Sequence, residues 1–265
     1  MLHDEVAAGA RLLHRAGVLT YSGHLSARLP GRDALLIHPR DTHRGQVHAS
    51  GLLTCDFDGN PLDGSEREQL PLEVFIHTAI YRARPDVHCV VHTHSALAAA
   101  FTTSRGPLTL LKGHAHRWRA GVPTHPDPTH IKTPEQGTAL ANTLGDRHAA
   151  LLRAHGGVIV AESVPAAVVD CIHFEENAQA NLDSATLGDR LPLTPEELTA
   201  LASTTNRSRH TRRLWNHYLA DAGPGTNVAL GTLSVPKATF VPSEGAGAAG
   251  GGSRTGGGRT AGGAA

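Results

Sequence analysis

Apolar residues recur at helical spacing from about Asp4 to Ala16, Gly17 closes that stretch, and a turn then leads into Leu25–Leu29, which reads as a strand. Leu35–His38 reads as a second short strand. Glu68 to Arg82 has the pattern of a helix with Leu72, Phe75, Ile76, Ala79 and Ile80 on its apolar side, stopped by Pro85. Val87–His94 follows as a strand, then Ser95–Thr102 and Pro134–Leu144 as helices. Ala149–Arg153 and Val158–Val160 read as strands on either side of His155-Gly156-Gly157. Pro165 to about Ala185 is a long helix with proline in its first turn, and Thr194-Pro195-Glu196-Glu197 is a capping-box start for a last helix reaching Leu219. Helices and short strands interleave throughout, so the pattern predicts an α/β sandwich.

The pattern fades toward the end of the chain. Residues 221–244 carry the breaker Gly223-Pro224-Gly225 and scattered apolar positions, as expected of a linker or loose arm. Residues 245–265 are Gly, Ala, Ser, Thr and Arg without apolar periodicity, so they are expected to form a disordered tail. That leaves residues 1–220 as one domain. A 265-residue chain with 40% hydrophobic residues is large enough for one sizeable core.

Charge narrows the partners. Lys+Arg and Asp+Glu both number 24, and no basic block of the kind that neutralises phosphate backbones occurs, which argues against nucleic acid. Three cysteines at unrelated spacings, with no Cys-x-x-Cys, suit reduced thiols. The first residues lack a secretory pattern and no apolar run approaches the roughly 20 residues of a membrane span, so a cytoplasmic location off the membrane is expected.

The candidate chemistry centres on His92 and His94, which alternate onto one face at the end of a β-branched run. With 19 histidines in the chain, roughly one His-x-His is expected by chance, and His114-Ala115-His116 is indeed another. Context distinguishes the first pair. Glu73 and His77 lie four apart on the preceding helix, and His155 occupies a later strand-to-turn position where Gly156 lets the backbone bend. Three neutral imidazoles plus water form an open catalytic metal site, with Glu73 as a fourth ligand or the acid/base.

Gly23-His24-Leu25-Ser26-Ala27-Arg28, Glu73-x3-His77-x3-Tyr81-x-Ala83-Arg84-Pro85-Asp86-x4-Val91-His92-Thr93-His94-Ser95, Leu152-x2-His155-Gly156, Pro165-Ala166-Ala167 and Glu175-x2-Ala178 together resemble the class II aldolase/adducin family, over roughly Asp4 to Ala220. The resemblance implies a central, mostly antiparallel sheet flanked by helices and a homotetramer with active sites between subunits. It also implies one divalent metal per subunit on His92, His94 and His155, with Glu73 as the catalytic acid/base. Zn2+ leads as the metal, ahead of Fe2+, Mn2+ or Co2+. Family enzymes often bring a tyrosine of the final helix toward the site, here Tyr218, which equally suits a core position.

Departures from the family pattern bear on the substrate. Where the sugar-phosphate aldolases usually have Gly-Asn, Thr-Gly and a pair of serines, this chain has Gly23-His24, Pro39-Arg40-Asp41 and Pro71-Leu72. Without those donors a phosphate dianion is poorly compensated, although Arg40 or Arg44 could substitute. Leu72 makes the pocket greasier and suits an aromatic or otherwise apolar acid. His24 either contacts substrate or fills the turn, His77 supports its neighbours, and His114 and His116 read as solvated loop residues. The leading expectation is a metal-dependent lyase that breaks a carbon-carbon bond, by aldol cleavage or decarboxylation, in a non-phosphorylated hydroxy or oxo acid through a metal-held enediolate. Two alternatives stand beside it: a non-haem iron oxygenase converting a prenylated aryl-pyruvate to a benzoate in aminocoumarin antibiotic biosynthesis, and a non-catalytic adducin-like binding module.

Overall fold

The computed structural model describes residues 2–222. The expected tail over 245–265, and the expected arm over 221–244 beyond its first two residues, lie outside that range. Helix α1, Leu2–Arg15, carries Asp4 and Glu5 in its first turn and His14 and Arg15 in its last, an arrangement that complements the helix dipole. It leads into β1 (His24–Arg28), β2 (Ala34–Ile37) and β3 (Leu53–Asp56). Then follow α2 (Val74–Ala83), β4 (Cys89–Thr93), α3 (Ala96–Thr103), β5 (Thr124–His125) and α4 (Pro134–Leu144). The hairpin of β6 (Ala149–Leu152) and β7 (Gly156–Ala161) precedes α5 (Val164–Leu187), α6 (Pro195–Thr204) and α7 (Arg207–Asp221).

The seven strands form one sheet in the order β3-β2-β1-β4-β7-β6-β5, antiparallel at every pairing except β5 with β6. Central strand β4 is buried along its whole length, as a strand with helices on both faces must be. Its alternating residues feed two separate cores. Cys89 and Val91 join α1 and α5 through Leu13, Val168 and Phe174, whereas Val90 faces α2 and α4 through Ile76, Ile80 and Leu140. By the same alternation His92 lies on the α2/α4 side. The register sets His24 directly opposite His92 on one flank and Val158 opposite it on the other.

Several boundaries differ from the sequence pattern. Helix α2 begins at Val74 rather than Glu68, because a 3-10 turn over Arg67–Gln69 is closed by a reciprocal Glu66/Gln69 cap and Leu70 before Pro71 is extended. Glu73 is therefore the N-cap residue of α2, not part of its first turn, and its side chain makes no capping bond. The single last helix expected over Thr194–Leu219 is two helices. Thr205 is extended and Asn206 caps α7 by accepting from the Arg209 amide. Strands β3 and β5, four and two residues long, carried too little alternation to be read.

Cys55, Cys89 and Cys171 are free and buried. Among the described residues no helix is long and apolar enough to cross a membrane.

The start of β7 and the end of β4 leave no room for a side chain at Gly156. A Cβ built on Gly156 would stand 2.0 Å from the Thr93 carbonyl oxygen and 2.9 Å from the His94 Cα, at a φ of +155°. Gly156→Ala is therefore expected to cost more than about 3 kcal/mol of stability. Gly157→Ala, whose nearest neighbour is at 3.3 Å, should cost clearly less. Urea unfolding of the two variants measures the difference, and equal midpoints would refute the close-approach account.

Candidate metal centre

Four side chains from three separate parts of the chain meet at the C-terminal end of β4. His92 is the penultimate residue of β4, and His94 follows just past the strand's end with its side chain on the same side, two residues on. His155 sits in the β6–β7 turn between Ala154, which has a left-handed φ of 55°, and Gly156. Glu73 enters from the start of α2. Its Oε2 lies 3.3 Å from His92 Nε2, 3.6 Å from His94 Nε2 and 3.4 Å from His155 Nε2. Its Oε1 accepts from the Ile131 amide at 3.0 Å.

One ligand-type atom from each of the four residues fits within a 4.8 Å spread. His92 Nδ1 faces the Gly157 carbonyl at 3.1 Å, which assigns the proton to Nδ1 and leaves Nε2 bare toward His94 Nε2, 3.0 Å away. Both ring nitrogens of His155 are buried without a hydrogen-bond partner. A buried polar atom left unpaired is costly, and a cation at the shared point would satisfy this one. Three imidazole nitrogens and one carboxylate oxygen are also a donor set that zinc, iron, manganese and cobalt accept. The residues present therefore fit a divalent ion. Burial alone would raise the Glu73 carboxyl, but the surrounding imidazoles of His155, His92 and His94 outweigh it and hold it far below the usual carboxylate range.

The centre opens into a cavity of roughly 440 Å³ lined by His24, Arg40, Pro71, Leu72, His94 and His130, among others. The three residues expected to meet substrate, His24, Arg40 and Leu72, all lie on its wall. Arg40 is 52% exposed with Asp41 3.9 Å away, and Leu72 is 44% exposed, so both present free surface to a ligand. Arg44 is different. Its guanidinium donates to the carbonyls of Gly23 (2.9 Å) and Arg40 (3.0 Å) and to that of Thr42, stitching two loops of the cavity together. Of the two arginines named from sequence, Arg40 is the one with a guanidinium left to offer.

His130 was missed in the sequence, although its Nδ1 lies 3.5 Å from Glu73 Oε1 and its ring packs 5.1 Å from that of His155. It comes from the irregular segment before α4, where no spacing pattern marks it. Tyr218 is not brought to this cavity within its own chain. It is packed with Trp215 in the α1/α5 core, on the opposite side of the sheet from His92. His77 is fully buried and bonded to His24 and Ser26, the supporting position expected of it. His114 is not a solvated loop residue: its ring stacks face to face on His173 at 4.0 Å and 7°, beside Glu176. His114, His173 and Glu176 thus form a second group of ligand-type atoms within 4.8 Å of one another, but the lone pairs of two stacked rings lie in separate parallel planes and cannot both aim at one point.

The family profile described as Class II Aldolase and Adducin N-terminal domain matches residues 4–182. The 3,4-dihydroxyphthalate decarboxylase of Arthrobacter keyseri is 29% identical over 229 residues, covering 82% of this chain and 92% of that protein. The enzyme of the same name from Rhodococcus jostii (strain RHA1) is 30% identical over 232 residues, covering 82% and 91%. Among solved structures, an aldolase II superfamily protein from Pseudomonas syringae superposes with a TM-score of 0.73 at 24% identity, covering 83% of this chain and 91% of that one. That likeness bears on the fold.

His38, buried beneath this cavity's loops, is pushed down to about 3 by burial and then by the Arg44 charge, against a backbone hydrogen bond to Pro39 that acts the other way. Burial, and after it neighbouring imidazoles, likewise lowers His24 and His77. A histidine whose folded pKa lies below its unfolded value stabilises the fold when neutral. As pH falls below about 6.5 the unfolded chain takes up protons that the folded one refuses, so stability declines from there toward about pH 3. The slope is at most about 1.4 kcal/mol per pH unit for each such histidine. Urea midpoints of metal-free protein should fall between pH 6.5 and 4, and a flat or rising midpoint would contradict the burial of neutral rings.

Proposed function

The chain belongs to the class II aldolase and adducin family, and from that premise we propose that it is a divalent-metal-dependent lyase that removes a carboxylate from a hydroxylated aromatic acid. The observation that carries this reading is the convergence of three imidazole nitrogens and one carboxylate oxygen at the floor of a cavity whose wall offers both Leu72 and a half-exposed Arg40. Relatives that cover most of the chain and are named decarboxylases of an aromatic dicarboxylate support the substrate class.

His92, His94 and His155 would hold the ion, zinc first, with Fe2+, Mn2+ or Co2+ as substitutes. When bound, it would supply a Lewis acid that favours ionisation of a substrate hydroxyl. The remaining work falls to side chains. Leu72 and Pro71 form an apolar wall against which an aromatic ring packs and which keeps water off one face. Arg40 pairs with a carboxylate of the substrate. Glu73, ionised and held by the Ile131 amide, first takes the proton of a substrate ring hydroxyl and then delivers it to the ring carbon that carries the departing group. The carbon-carbon bond breaks with its electron pair returning to the ring, and carbon dioxide leaves. His24 supplies a hydrogen bond to a ring oxygen. Tyr218 enters only as a group that a neighbouring copy in a homo-oligomer would bring, because its own chain packs it away from the cavity.

The test uses purified protein with 3,4-dihydroxyphthalate and related hydroxyaryl acids, with metal content, carbon dioxide and oxygen uptake all measured. The expected result is about one ion per chain and equal turnover with and without oxygen. Turnover that requires oxygen would transfer the site to an iron oxygenase, and absence of any bound divalent ion would leave a binding module. His94→Ala should lose metal and turnover together. Glu73→Gln should keep the metal and lose at least about a hundredfold in kcat, and full turnover by that variant would remove Glu73 from the proton transfer.

A further inference from the structure

Behind the cavity wall runs a line of buried polar groups that crosses from helix to strand and back. The Tyr81 hydroxyl of α2 lies 2.9 Å from Ser26 Oγ on β1. Ser26 Oγ lies 2.6 Å from His77 Nδ1. His77 Nε2 lies 2.6 Å from His24 Nδ1, and His24 is the member that lines the cavity. Ser26, His77 and Tyr81 are almost wholly buried, in the middle of the sheet's α2 face.

We propose that these four groups form a relay with a fixed direction, which locks His24 as a hydrogen-bond donor presenting Nε2–H to an acceptor oxygen of the substrate. The direction follows from where each proton can go. A buried phenol proton needs an acceptor, and Ser26 Oγ is the side-chain acceptor within reach. With Tyr81 donating, the Ser26 hydroxyl donates in turn to His77 Nδ1. A neutral His77 with a bare Nδ1 carries its proton on Nε2 and gives it to His24 Nδ1. His24, also neutral, is then left with its proton on Nε2. In the opposite direction Ser26 would donate to Tyr81, and the phenol proton would have no partner, a loss comparable with removing a buried hydrogen bond.

The register keeps this line intact. Ser26 and His24 alternate onto one face of β1, and His77 and Tyr81 lie one turn apart on α2. Ser26, His77 and Tyr81 are thus positioning residues acting through His24. The direction of the relay stands on geometry alone. Its use on a substrate oxygen rests on the reading given under Proposed function.

Long-range proton–nitrogen spectra of histidine-labelled full-length protein test it directly. Both His24 and His77 are expected as single tautomers with a bare Nδ1 and a protonated Nε2. Ser26→Ala, which removes the middle of the line, should turn His24 into a mixture of tautomers, and Tyr81→Phe should do so in part while keeping the ring packing. A wild-type His24 protonated on Nδ1, or a Ser26→Ala spectrum unchanged at His24, overturns the relay. With 3,4-dihydroxyphthalate as probe, Ser26→Ala should raise KM about tenfold, the value of one hydrogen bond, with a smaller change in kcat. An unchanged KM alongside altered tautomers overturns the substrate contact. No turnover by the wild type, with tautomers as expected, refutes the decarboxylase reading and leaves the relay standing.

Discussion

Everything at the centre depends on one backbone approach: the β6–β7 turn reaches the end of β4 so closely that only hydrogen fits between Gly156 and the Thr93 carbonyl. That contact seats His155 beside His94, with ring centroids 4.5 Å apart. Strand alternation then supplies His92 and His94 together, and the broken start of α2 supplies Glu73. A wider gap would leave the histidines on their own elements with no common point. The site is thus a property of the sheet's geometry first and of its side chains second.

The electrostatics follow from burial. A carboxylate taken out of water among imidazoles is stable only if those rings compensate it, and Glu73 has three of them on one oxygen and an amide on the other. The flanking histidines His24, His38 and His77 are held neutral by their surroundings and do not add positive charge to the site. Charge of that sign is left to the cavity mouth, where Arg40 sits partly in solvent. The proposed function assigns an acidic ligand to that guanidinium and to the donors grouped around Glu73. Arg44, already committed to three carbonyls, keeps that entrance in shape.

Much of this was legible in the amino-acid sequence, for physical reasons. The β-branched run into His92 marked a buried strand, and Gly156 after His155 marked a place where the backbone bends; the close approach of the Thr93 carbonyl there comes from the fold. The helix read over Pro134–Leu144 matches α4 residue for residue, and the structure shows a reciprocal Thr133/Gln136 cap fixing its start. What was not legible depends on distance along the chain. His130 lies in irregular backbone and reaches Glu73 only through the fold, and β5 has just two residues. The start of α2 was read too early because Leu70 and Leu72 continue an apolar pattern that Pro71 overrides. Tyr218 shows the opposite difficulty, for its position in α7 was foreseen while the direction it faces was set by packing against α1 and α5.

The line from Tyr81 to His24 also constrains how such a pocket can diverge. Residue 24 forms part of the cavity wall, yet its inner nitrogen is bonded to a buried ring on another element. Replacing it alone with a side chain that cannot accept that bond would strand His77 in the interior. A lineage that retunes the pocket at this position must therefore change His77 or Ser26 with it, or pass through a less stable ancestor. Selectivity here is inherited as a block rather than one amino acid at a time.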